Sequence, residues 1–365
     1  MVERLILGVK GSLLDIPVPL NLNYWYGGGF MLGMVYGVQL LSGIVLSMYY
    51  SVDMVSGGYG SVVMVMQDVC GGWVVRMAHS VGASVMFLLL YLHVGRSFMY
   101  GGVKSGGVWL SGVCIMMVMM AVAFLGYVLP WGQMSYWGMT VVTSMLGAFP
   151  VVGPSVVEWL WGADMPGSFT LVRFYSFHYF VSLGVAVVLW VHMLVLHESG
   201  GSNPLGVCSL GDKVEFGGLY VSKDGVGFVW LGWLYWVGIF VCGYSLMDET
   251  NFGEVDFLST PSHIKPEWYF LYAYCILRSV GSKLGGVVLM FGAIGVLVVF
   301  SFSWGGFSGV LVGSVLGKIL VVFLVFSFVM LVYLGGESVE APFSVLGSFF
   351  TFMYFLLILL MSLIV

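Results

Sequence analysis

The chain has 365 residues, 60% of them hydrophobic and only 8% charged, with a formal net charge of −5. Soluble globular chains carry roughly 45–50% apolar and about 25% charged residues, so these side chains cannot cover a surface in water and the chain is expected in a bilayer. The negative balance leaves no basic face, which excludes nucleic acid as a partner.

A membrane-crossing helix needs about 20 mostly apolar residues. Residues 1–20 carry Arg4, Lys10 and Asp15 among short apolar pieces, with no long apolar core or small-residue cleavage pattern, so no cleaved signal is expected there. Eight later stretches qualify as spans: 28–50, 75–98, 107–130, 173–196, 226–247, 285–303, 310–334 and 343–365. The fold class is therefore all-α, a membrane protein of about eight transmembrane helices. Eight crossings place both termini on one side, called N here, opposite a side P. Side N carries seven Lys/Arg against six acids, side P five against eleven. The bias puts N inside, in matrix or cytoplasm.

Span 1 contains Gly29 and Gly43. Span 2 contains His79 and His93, flanked by Arg76 and Arg96; span 3 contains Gly112 and Gly126. A long P-side loop, 131–172, mixes aromatic residues with Pro, Gly and acids, as short interfacial helices do. Span 4 contains His178 and His192, with Arg173 ahead of them. A gap near 198–224 separates spans 1–4 from spans 5–8, and a second long P-side loop covers 248–284. The five cysteines form no CxxC or CxxCH, which removes covalent haem attachment, zinc ribbons and iron–sulfur ligation.

Each histidine pair is separated by 14 residues. That spacing is about 3.9 helical turns, so both members share a face and lie about 21 Å apart along the axis. Spans 2 and 4 run the same way, which pairs His79 with His178 near side P and His93 with His192 near side N. The product expected is two bis-histidine haems stacked across the bilayer. Gly29 and Gly43, and Gly112 and Gly126, repeat the 14-residue spacing in the antiparallel spans and would give the haems room, although close helix packing is the ordinary use of such glycines. Arg76, Arg173 and Arg96 fall where haem propionates would emerge, or else are arginines snorkelling at helix ends.

The matched histidines, GYVLPWGQMSYWG at 126–138, HESGGSNP at 197–204 and PSHIKPEWYF at 261–270 resemble the cytochrome b subunits of respiratory bc1 complexes (complex III), over nearly the whole chain. The resemblance implies an N-terminal di-haem bundle over 1–200 and a C-terminal helical part over 201–365 that contributes to both quinone sites. It implies a Q cycle within quinol:cytochrome c oxidoreductase. Ubiquinol is oxidised on side P, one electron going to a Rieske iron–sulfur protein and the other through two non-covalent b haems to reduce quinone on side N. The implied P-side site uses Glu267, Tyr269, Tyr127 and Gly138, with Glu267 accepting a proton. The implied N-side quinone site uses His197, Ser202, Asp224 and Lys223. Implied partners are the Rieske protein, cytochrome c1, other complex III subunits, a second copy of the complex and the bilayer. The implied place is the mitochondrial inner membrane, both termini in the matrix.

From the residues alone, Pro266–Glu267 is equally a favoured helix start. Three positions depart from the family pattern: Gly201 where a serine is usual, Tyr26 where a tryptophan is expected, and Met139, whose bulk is expected to narrow the P-side pocket. Two other classes compete. A di-haem dehydrogenase anchor with one quinone site explains the histidines but not the PEWY segment, and a transporter would use the intramembrane histidines as proton relays.

Overall fold

The computed structural model describes residue 11 and residues 14–52, 57–302 and 311–364. Arg4 and Lys10, used in the charge argument, lie outside the described residues. Twelve α-helices are present among those described. They are α1 (Gly28–Ser47), α2 (Gly57–Gln67), α3 (Gly72–Met99), α4 (Gly106–Val128), α5 (Gln133–Met145), α6 (Gly153–Trp161), α7 (Ser168–Ser199), α8 (Leu219–Phe240), α9 (Leu271–Arg278), α10 (Lys283–Gly295), α11 (Val315–Gly335) and α12 (Phe343–Ile364).

Among the described residues, seven segments are long and apolar enough to cross a membrane, namely α1 with the 3-10 turn Tyr24–Gly27 before it, α3, α4, α7, α10 with its 3-10 extension to Phe302, α11 and α12. The eighth expected crossing falls on α8, whose 22 residues span about 33 Å. Lys223 and Asp224 at its start, and Trp230, Trp233, Tyr235 and Trp236 along it, lower its hydropathy below that of the other seven. It nevertheless packs along α3 and α1 within the same bundle. The first P-side loop forms the short helices α5 and α6, as its composition suggested.

Helices α1 and α3 pack closely on each other, and so do α4 and α7. These two pairs form the four-helix bundle and face each other across the cavities described below. Helices α9, α10, α11 and α12 pack together and against α3 and α4, around Phe87, Tyr272, Ile276, Leu331 and Ile358. Arg278, at the end of α9, donates to the carbonyl oxygens of Leu334, Gly335 and Glu337. It thereby satisfies the free carbonyls at the end of α11.

Two ties fix the ends of the bundle. On side N a short antiparallel pair joins β1 (Pro17–Pro19) to β2 (Lys213–Glu215). On side P the two long loops are stitched together, Gln133 N donating to Gly253 O and Ser135 N to Asn251 Oδ1, and Tyr59 Oη of α2 donates to Phe252 O of the second.

Candidate functional site

The four spaced histidines come together as two pairs inside the bundle. His79 of α3 and His178 of α7 have ring centroids 6.2 Å apart and ring planes at 83°. Two metal–nitrogen bonds of about 2 Å plus the two ring radii account for that separation. His93 and His192 line a second cavity toward side N.

The local structure holds three of the four rings in one tautomer. His178 Nδ1 lies 2.9 Å from the Val122 carbonyl oxygen, an acceptor, so Nδ1 carries the proton. His79 Nδ1 lies 2.9 Å from Ser42 Oγ, whose own proton goes to the Val38 carbonyl, so again Nδ1–H donates. His192 Nδ1 lies 2.8 Å from Ser111 Oγ, which donates to Gly107 O. A neutral imidazole protonated at Nδ1 keeps its lone pair on Nε2, the pair that binds a metal. The fourth ring, His93, has its Nδ1 3.4 Å from Arg96 Nη2.

Each spaced glycine faces one histidine. A Cβ at Gly43 would lie 3.1 Å from His79 Cε1, one at Gly126 2.6 Å from His178 Cε1, one at Gly112 3.3 Å from His192 Cε1 and one at Gly29 3.6 Å from His93 Cε1. The room they make is thus room for the imidazoles, whatever fills the slot between them.

The donor set fits haem. Among the described residues no group of three or more His, Cys, Asp and Glu is placed to hold a bare metal ion, whereas two opposed imidazoles suit an iron whose other four ligands come from a macrocycle. On side N, Arg96 has a buried Nε with no partner, and no carboxylate among the described residues pairs with its guanidinium. A haem propionate would supply the missing anion. Arg173 does not take this part: it donates to the Trp159 carbonyl and leans on the Trp159 ring, away from the P-side cavity.

The P-side cavity, of about 260 Å³, is lined by His79, His178, Gly43, Gly126, Arg76, Tyr127, Asp248, Glu267 and Tyr269. The PEWY segment is fastened to α3: Tyr269 stacks on Phe87 at 4.3 Å, Tyr91 Oη donates to Tyr269 O, and Trp268 Nε1 donates to Ser84 Oγ. Glu267 stands at the N-cap of the 3-10 turn Trp268–Phe270, but its side chain makes no cap bond. The carboxyl therefore does not cap the turn by a hydrogen bond. Burial, reinforced by Asp248, pushes it up to about 7, against the pull of Arg76 and Lys265.

Gly138 and Met139 do not line this cavity. Open space faces Gly138, while Met139 is 1% exposed and packs with Val128, Trp131, Tyr136, Leu171 and Phe174. With its side chain packed in that cluster, Met139 does not reach the cavity, and the expected narrowing by Met139 is not found.

The N-side cavity, of about 2420 Å³, is lined by His93, His192, Gly29, Gly112, Arg96, Tyr26, His197, Ser202, Lys223 and Asp224 together. Lys223 Nζ donates to the Leu22 carbonyl, and the Tyr26 ring lies 4.8 Å beneath the Arg96 guanidinium.

Residues 13–200 match the family model "Cytochrome b/b6/petB" and residues 254–355 match "Cytochrome b(C-terminal)/b6/petD". This chain belongs to the cytochrome b family. Cytochrome b of Leptorhynchoides thecatus is 49% identical over 355 residues, covering 97% of this chain and 95% of that protein. Cytochrome b of Brachionus plicatilis is 43% identical over 359 residues, covering 98% and 94%. A solved chain of a "Hyperthermophilic respiratory Complex III" superposes with a TM-score of 0.92 at 26% identity, covering 99% of this chain and 96% of that one.

As a cytochrome b, the chain is a multi-span subunit of a respiratory complex III, binds haem b and uses quinone. It transfers electrons as the core catalytic subunit of a quinol:cytochrome c oxidoreductase. The two serines that fix His79 and His192 went unnoticed in the sequence. Each directly precedes a spaced glycine, Ser42–Gly43 and Ser111–Gly112, but Ser–Gly also occurs at Ser105–Gly106 and elsewhere, so the dipeptide alone carries little signal.

Proposed function

We propose that this cytochrome b holds two b haems, one between His79 and His178 and one between His93 and His192, and couples ubiquinol oxidation on side P to quinone reduction on side N. The observation carrying this reading is that four histidines on two helices each meet a spaced glycine on a partner helix, in two pairs at two depths. Bound haem supplies one-electron redox chemistry. The chain's own residues do the rest. The bundle of 1–200 holds the four histidines, three of them with the Nε2 lone pair free, and 201–365 closes both quinone sites.

On side P, Glu267 takes a quinol proton and Tyr269 and Tyr127 shape the wall around it, while Gly138, outside that cavity, has bare backbone facing open space. Arg76 lines the same cavity and keeps the Glu267 anion accessible. On side N, His197, Ser202 and Asp224 bracket the quinone, with Lys223 keeping N–H donors beyond its bond to Leu22. The positive-inside bias supports both termini on the inner side, which in a mitochondrion is the matrix. The Rieske protein and cytochrome c1 receive electrons on side P, and the complex works as a homodimer.

A redox titration of the purified complex tests the haem count. Two b-type transitions are expected, and His192→Ala should remove only the one nearer side N. A single transition, or loss of both from this one substitution, contradicts the pairing. Inhibitors directed at each quinone site then separate this reading from a one-site anchor.

A further inference from the structure

Three consecutive glycines, Gly27, Gly28 and Gly29, occupy the joint between the 3-10 turn Tyr24–Gly27 and α1. Each is bare against something specific. A Cβ at Gly27 would lie 2.9 Å from Asp224 Oδ1, one at Gly28 3.4 Å from His93 Nδ1, and one at Gly29 3.6 Å from His93 Cε1. One stretch of uncovered backbone therefore touches the carboxylate of α8 and the imidazole of α3 on successive residues.

The backbones on either side of the Gly27 contact are locked together. Tyr220 Oη donates to Pro19 O, Leu22 N donates to Tyr220 Oη, and Lys223 Nζ donates to Leu22 O. These bonds fix the start of α8 to residues 19–22. The Asp224 carboxylate, by contrast, has no hydrogen bond or ion pair among the described residues and is half-buried in the N-side cavity. A methyl group at position 27 could not push the two segments apart, but it could turn the carboxylate away. The contacting atom is the free end of a side chain, so the fold loses little and the site loses its acid.

We propose that Gly27 is a positioning residue of the N-side quinone site: its missing side chain seats the Asp224 carboxylate next to the backbone that receives His93. This rests on the assignment of Asp224 to that site. A ligand held by the carboxylate is thereby kept beside the N-side metal ligand, with no side chain between.

The test uses the whole complex with its P-side site inhibited. Binding of a ubiquinone analogue and reduction of the N-side haem by added quinol are measured across pH in Gly27→Ala, Asp224→Ala and the double variant, with haem spectra and melting curves. Displacement of a positioned group by about 1 Å costs up to about 10²-fold. Gly27→Ala is expected to weaken analogue binding and raise the quinol KM by about tenfold or more, with an altered pH profile and an unchanged N-side haem spectrum and Tm. In the Asp224→Ala background it should add nothing. Wild-type binding and pH profile in Gly27→Ala, or an equal further loss in the double variant, would overturn the proposal while leaving the site intact. Normal binding in Asp224→Ala would instead overturn the assignment of the site, and the proposal with it.

Discussion

Glu267 shows how one residue can be read two ways until its neighbours are known. After Pro266 it has the sequence of a helix start, yet its carboxyl makes no cap bond and lines the P-side cavity. Since burial raises it to about 7, it is protonated below that pH and becomes a usable base above it. Quinol oxidation should rise with pH through about 7 in the wild type. Glu267→Gln should flatten that rise, leaving little difference in acid and a loss of at most about 10²- to 10⁴-fold in alkali. A turnover profile on both sides of neutrality decides it. Met139 teaches the opposite lesson: residue size was legible, but direction was not, because it depends on the helix phase of α5. With its side chain in the Trp131–Phe174 cluster, Met139→Ala should cost about 2–5 kcal/mol of stability and leave P-side inhibitor titrations unchanged. Melting curves and inhibition curves of the one variant separate the two effects.

At the level of the helix, the 14-residue repeats were the legible feature, because a rigid 3.6-residue period turns spacing into depth and direction. What they could not reveal was the partner of each glycine, which depends on how α1 meets α3 and α4 meets α7. The tightest of the four contacts is Gly126 on His178, at 2.6 Å, and the loosest Gly29 on His93, at 3.6 Å. Gly126→Ala should therefore abolish the P-side haem and spare the N-side one, whereas Gly29→Ala should retain both; difference spectra of the two variants give the answer. The crossings were legible from composition, and α8 shows the limit of that signal. Its tryptophans Trp230, Trp233 and Trp236 are more than half exposed along one helix, so an aromatic outer face lowers hydropathy without shortening the helix. The 3-10 turn carrying Glu267 had no periodicity to find; three contacts to α3 shape it instead.

Across the whole molecule, the two ends of the bundle are finished by different parts of the chain. All four histidines are present once α7 ends at Ser199. The floor on side N needs β1 against β2 and the start of α8, a join between Leu22 and Tyr220 that bridges 198 positions. The wall on side P needs Leu246 to Phe252 and then Glu267 and Tyr269. Translation thus sets a timetable. When the fourth histidine leaves the ribosome, neither the N-side floor nor the P-side wall has yet been made, so both cavities lack the segments that close them. The N-side floor is completed 28 to 31 residues later, when Tyr220 and Lys223 reach the N-terminal segment, and the P-side wall last, when the stretch ending at Tyr269 packs against Phe87.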